Sequence, residues 1–217
     1  MQKNFGYELE FKGAILENLA QKYSIPLYKL QDVVPYDRYH LKNEIFVSEL
    51  CDNVFNREAD LTKGGELISP ILNDYGKCLR ELKFFLEILK KEGAYINPNS
   101  LNTGFHIHLD RSFLSGWDSF EKLLKFLYAF QPEIYDYSKG NHESIRKNIF
   151  EDAKPLTPSL VEFLVETGKI EFLSFKGNCI LLDQKTFELR YFNSSLDINT
   201  LDSYFKFAFN LRDYIAS

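Results

Sequence analysis

Two histidines separated by a single isoleucine, His106-Ile107-His108, are half of all the histidines in a chain that has four. Two other pairs share the spacing: Glu8-Leu9-Glu10 near the start and Glu188-Leu189-Arg190 near the end. Each pair brackets an aliphatic residue. In a strand, residues i and i+2 point to one face and the residue between them to the other. If Leu9, Ile107 and Leu189 enter a helix-covered core, all six polar side chains share the opposite face. Glu66, the first polar residue of its own strand, can join them.

Each pair alone has a plain reading. Glu-x-Glu is a solvated strand face in a chain with 31 acidic residues, His-x-His is a structural or exposed pair, and Glu-x-Arg is a cross-strand charge partner. All three, however, lie in otherwise apolar strands. Carboxylates gathered there repel one another by roughly 4 kcal/mol per pair at about 4 Å and an effective dielectric of ~20, and only cations or protons relieve that. An oxygen-rich set with an imidazole suits Mg²⁺ or Mn²⁺ better than a thiolate-loving metal. An arginine at the rim suggests a phosphate neighbour.

The elements that must position these residues are readable in outline. Strands are expected at Gly6–Phe11, Ile45–Leu50, Glu66–Ser69 and Phe105–Leu109, with a loop over Asn56–Gly65. Asn178–Leu182 and Thr186–Phe192 read as a hairpin turning at Asp183–Lys185. Leu79, Leu82, Phe85, Leu86 and Leu89 recur at helical spacing and predict an amphipathic helix over Gly76–Lys91. Further helices are expected over Ala14–Lys22, around Leu123–Phe130 with a stop at Pro132, over Ser159–Thr167 with Ser159 as its cap, and over Asn199–Ile215. Strands and helices without strict alternation indicate an α+β fold with a largely antiparallel sheet. The stretch 137–177 is the least regular, broken by Pro155 and Pro158.

Composition narrows the classes. The chain has 217 residues, 45% hydrophobic, with 20 Phe and 13 Tyr, enough for one domain with a substantial core over 1–217. A net charge of −5 argues against general nucleic-acid binding. Cys51, Cys78 and Cys179 show no C-x-x-C spacing and read as reduced, structural thiols. With no apolar run of membrane-spanning length and no signal-like start, the expected location is cytoplasmic, away from membranes.

Four blocks then occur in a telling order: Gly-Tyr-Glu-Leu-Glu-Phe (6–11), Gly-Gly-Glu-Leu-Ile-Ser-Pro (64–70), Gly-Phe-His-Ile-His (104–108) and Thr-Phe-Glu-Leu-Arg-Tyr-Phe (186–192). Together they resemble the amidoligase family, within the glutamine synthetase and glutamate–cysteine ligase superfamily of carboxylate–amine ligases. The tail Asn-Ser-Ser-Leu-Asp-Ile-Asn-Thr-Leu (193–201) is similar to the family's ending. The resemblance implies a glutamine synthetase catalytic-domain-like fold: about six mostly antiparallel strands, curved around two or three divalent ions and ATP, with helices on the outer face. It implies Glu8, Glu10, Glu66, His106 and Glu188 as ligands of Mg²⁺ or Mn²⁺, and Arg190 as the phosphate-contacting catalytic residue. His108, Arg146 and Asn102 fall to ATP or substrate binding, and 137–177 to shaping the substrate pocket.

The activity so implied is ATP-dependent amide bond formation between a small-molecule or peptide carboxylate and an amine, through an acyl phosphate. The amine source is open and includes ammonia from a partner glutamine amidotransferase. The absence of Gly-x-Ser-x-Gly and of a catalytic cysteine setting agrees with a route lacking a covalent enzyme intermediate. Without Gly-x-x-x-x-Gly-Lys-Ser/Thr, a P-loop ATPase is not supported. Two alternatives stay open: a metal-dependent hydrolase whose ion is held by both histidines, and an inactive binding module on a ligase fold.

Overall fold

The structure, a computed structural model, describes residues 4–28, 37–43, 63–96, 103–145, 153–169, 173, 177–182 and 185–217. In chain order these form β1 (Phe5–Ile15), α1 (Leu16–Tyr23), β2 (Leu27–Tyr28), β3 (His40–Asn43), β4 (Lys63–Ile68), α2 (Tyr75–Lys91) and β5 (Gly104–Asp110). There follow α3 (Trp117–Ala129), α4 (Gln131–Tyr137), β6 (Ala153–Lys154), α5 (Pro158–Thr167), β7 (Gly177–Asn178), β8 (Ile180–Leu182), β9 (Thr186–Asn193) and α6 (Ile198–Ala216).

Seven strands make the main sheet in the order β2-β3-β4-β1-β5-β9-β8, and β6 pairs β7 separately. The sheet is mixed: β2 runs parallel to β3, and the other neighbours are antiparallel. The fold class is α+β, with one strand more than the six expected. Strand β1 lies at the centre, between β4 and β5, so its two glutamates are flanked on both sides.

The two faces of this sheet differ sharply. Tyr7, Leu9, Phe105, Ile107, Leu189 and Phe192 are buried on one. Helix α6 covers them: the Phe205 ring meets Phe5, Tyr7 and Phe105 edge-on, and Tyr204 stacks on Phe192 at 4.4 Å. Such aromatic pairs each contribute ~0.5–1.5 kcal/mol beyond the area they bury. Side chains Asp74 and Asp197 start α2 and α6 by accepting from the backbone N–H of Lys77 and Thr200, as N-caps do.

Local differences from the expected elements have physical causes. Helix α3 does stop before Pro132, at Ala129, but Pro132 also lies in the first turn of the next helix, α4, where its missing N–H costs nothing. Helix α5 is capped by Thr157, whose side chain accepts from Leu160 N, not by Ser159, because Pro158 takes the first helical position. Strand β1 continues beyond Phe11 to Ile15 and delays α1. Its pairing with β4 shifts between Lys12 and Ile15, a bulge at Gly13, whose φ is +87°. A Cβ on Gly13 would sit 2.5 Å from the Tyr95 ring and 2.6 Å from the Gly93 oxygen, so only glycine fits. The expected strand Ile45–Leu50 and most of the loop before Lys63 lie outside the described residues, as do Asn102 and Arg146. Among the described residues, no helix is long and apolar enough to cross a membrane.

Candidate functional site

The polar face is built by register. Antiparallel pairing sets Glu8 opposite His106, Glu10 opposite Glu66, and His108 opposite Glu188. Directly opposed residues share a face, with Cβ atoms ~4.5–5.5 Å apart. Between Phe105 and Ile107 the β5–β9 register shifts, so Arg190 and Tyr191 together oppose His106. Alternation from Glu188 keeps Arg190 on the polar face, and the extra residue of the bulge re-aims the chain beyond it, so that Phe192 rather than Tyr191 lies opposite Phe105 on the core face. All seven residues, Glu8, Glu10, Glu66, His106, His108, Glu188 and Arg190, meet on one side of four adjacent strands.

Their distances are those of one cluster. Glu8 is the hub: its Oε2 is 3.1 Å from His106 Nδ1 and its Oε1 is 3.3 Å from His108 Nε2. Glu188 Oε1 lies 3.4 Å from His106 Nδ1 and 2.7 Å from Arg190 Nη1. The Gly104 N–H donates to the Glu10 carboxylate, and the Ser194 hydroxyl donates to the Glu10 carbonyl. Among the described residues, two groups have ligand atoms close enough to share an ion: Glu8, Glu66 and His106, and Glu8, His108 and Glu188. Glu8 belongs to both.

The two histidines are electrostatically unlike. Burial, then the Arg190 charge, pushes His106 down to about 4, so its imidazole is neutral near pH 7. Burial also acts on His108, but the carboxylates of Glu8 and Glu188 outweigh it and raise His108 to about 9. Burial acts against ionisation of Glu8 too, yet His108 and His106 hold it well below the usual carboxylate range. Arg190 stays charged: burial opposes it, and Glu188, Glu10 and Glu8 more than compensate.

This site fits a divalent cation on one observation above all. A proton on His106 Nδ1 completes the bond to Glu8, which leaves the Nε2 lone pair 3.6 Å from Glu10 Oε1. Nε2 is buried and has no hydrogen-bond partner among the described residues. An unpaired buried acceptor facing a carboxylate is costly, and a cation relieves both. Neutral imidazole with several carboxylates is the donor set that hard divalent ions take.

The asymmetry gives an expected outcome. His106→Ala should weaken Mn²⁺ binding at least ~100-fold, more than the ~10–100-fold typical of losing a supporting partner. His108→Ala should lower it less than ~10-fold and act mainly on substrate affinity. Calorimetric titration of Mn²⁺ into both variants checks this, and equal losses would contradict it.

Sequence reasoning missed three residues on the same face. Lys12 follows Glu10 at the same i, i+2 spacing, so the signal was present as Glu-x-Glu-x-Lys. Lys42 pairs across from Glu66, and Tyr28 across from Lys42, but β2 and β3 are too short to read from periodicity.

No curated protein compared with the chain matches it. A family model described as "Putative amidoligase enzyme" matches residues 1–166, a span that holds both glutamates of β1, Glu66 and both histidines. Glu188, Arg190 and the 193–201 tail lie beyond the match, and join the others through the β5–β9 pairing. Three-quarters of the sequence, including the central strands of the polar face, thus identifies the chain as a member of the amidoligase family, a family of ligase-type enzymes.

Proposed function

We infer that this protein joins a carboxylate to an amine at the expense of ATP, through an acyl phosphate, on a glutamine synthetase-like sheet. The observation that carries the reading is the buried His106 lone pair set against Glu10, within a cluster of four carboxylates and one arginine. Glu8, Glu66 and His106 would hold one divalent ion, Mg²⁺ or Mn²⁺, and the carboxylates of Glu8 and Glu188 a second, with His108 beside it on the substrate side. Ions bound there would supply charge neutralisation for the phosphoryl group in transfer.

The chain's own residues supply the rest. In the first step the substrate carboxylate oxygen bonds to the terminal phosphorus of ATP, and ADP leaves with the bridging oxygen. In the second the amine nitrogen attacks the acyl carbon, phosphate leaves with the C–O electron pair, and the amine gives up a proton. Both first-step reactants are anions, so charge compensation and in-line positioning dominate. Arg190 offers a planar fork of N–H donors matched to phosphate oxygens. Burial of Glu10, Glu66, His106 and Glu188 lowers the local dielectric and strengthens each of these contacts.

The hydrolase alternative needs both imidazoles on one ion. Each candidate ligand group contains only one of them. That disfavours it. The test is ATP consumption in Mg²⁺ across pools of carboxylates and amines. Phosphate release that requires both partners is expected. Amide cleavage without ATP would restore the hydrolase, and no turnover with any pair would leave a binding module.

A further inference from the structure

A further basic side chain, Lys12, is already built into the acidic face. Lys12 is 1% exposed, among the largest fully buried side chains of the molecule. Lysine is almost never buried to that degree unless its charge is compensated. By strand alternation it follows Glu8 and Glu10 on the same face of β1, and its cross-strand partner is Gly64. Two residues along β4 from Gly64 is Glu66, the diagonal neighbour of Lys12, which is itself opposed to Glu10. Glu10 and Glu66 are 6% and 5% exposed, a directly facing pair of buried carboxylates.

The backbone of Lys12 is fixed independently. Its N–H donates to the Tyr95 carbonyl at 3.1 Å and its carbonyl accepts from Tyr95 N at 2.8 Å, immediately before the Gly13 bulge. The strand is therefore pinned at the point where the side chain departs.

We propose that the Lys12 ammonium is a resident countercharge of Glu10 and Glu66, sharing their neutralisation with the divalent ion that Glu8, Glu66 and His106 would hold. Lys12 is thus a positioning residue: it holds two carboxylates together before any ion binds and limits how many ions the face takes. The inference rests on the divalent-ion reading of the site, but on neither ATP nor amide chemistry.

The test is thermal unfolding and calorimetry with MnCl₂ alone. Lys12→Met keeps most of the apolar stem and removes the charge. Without metal its Tm should fall on the order of 10 °C, as expected when one partner of a buried charge pair is lost. Saturating Mn²⁺ should recover most of that fall, and the variant should bind one more ion per chain than the wild type. An equal fall with and without Mn²⁺ would mean that Lys12 only packs, and no fall would mean that its charge is not needed. The double variant Lys12→Met/Glu66→Gln removes cation and carboxylate together and keeps the question open to refutation even if the wild type takes no ion. It should recover at least half of the lost Tm in metal-free buffer. Additive losses would overturn the proposal, whereas a wild type indifferent to Mn²⁺ beside a rescued double variant would overturn only the divalent-ion reading.

Discussion

Glu8→Gln should abolish the divalent-ion response of this protein, with a loss larger than that of any other single ligand substitution. Glutamine keeps the size and one carbonyl oxygen, so β1 and the core beneath it remain. What disappears is the charge common to both candidate ligand groups and to both histidines. Removal of one supporting partner costs ~10–100-fold in metal affinity; removal of a carboxylate shared by two sites should exceed 10²-fold at each. The same change withdraws one of the two carboxylates that raise His108, so its pKa should move down towards the ordinary histidine range. Calorimetric Mn²⁺ titration and an NMR titration of the His108 ring check the two halves separately. A Glu8→Gln protein that binds ions as the wild type does would remove the basis for the site.

Arg190→Lys should keep the fold, the ions and much of the ATP affinity while losing turnover by on the order of 10³-fold, the scale of arginine contacts to a transferring phosphoryl group. Arg190 shares a strand face with Glu188 and contacts it at 2.7 Å, so any ion on Glu188 lies within a side chain's reach of the guanidinium. Two cations so placed repel unless a polyanion lies between them, and a terminal phosphate is one. Lysine replaces the planar fork with a single point charge. A carboxylate-dependent ATPase assay of the variant decides the matter. Near-full activity would reduce Arg190 to the charge partner of Glu188 seen in the structure.

The polar face could be read from the sequence because each of its three pairs has an apolar residue between, and Leu9, Ile107 and Leu189 are indeed fully buried. Helices α2 and α6 could be read because their stripes repeat at helical spacing over 17 and 19 residues. What resisted reading was non-local. Nothing in β1 states that it lies between β4 and β5, since strand order follows from packing across the whole chain. Strands β2 and β3 owe their existence to the edge of β4 rather than to a pattern of their own. The bulge opposite His106 has no glycine to announce it, and Pro132 and Pro158 begin helices that composition alone suggested they would end or interrupt. Arg146 and Asn102 fall outside the described residues, and their roles rest on the resemblance.

The contrast between the two faces of the sheet also bears on how the chain finds its fold. A slip of one residue in the pairing of β1 would turn every side chain of that strand over. Glu8, Glu10 and Lys12 would then enter the aromatic layer under α6, and Tyr7, Leu9 and Phe11 would face the acidic cluster. Burying unpaired carboxylates costs several kcal/mol each, against a total stability of ~5–15 kcal/mol for a typical domain. Misregistered sheets are thereby excluded while the chain is still folding. The charges that define the site act first as a proofreading device for strand alignment, before any ligand is present.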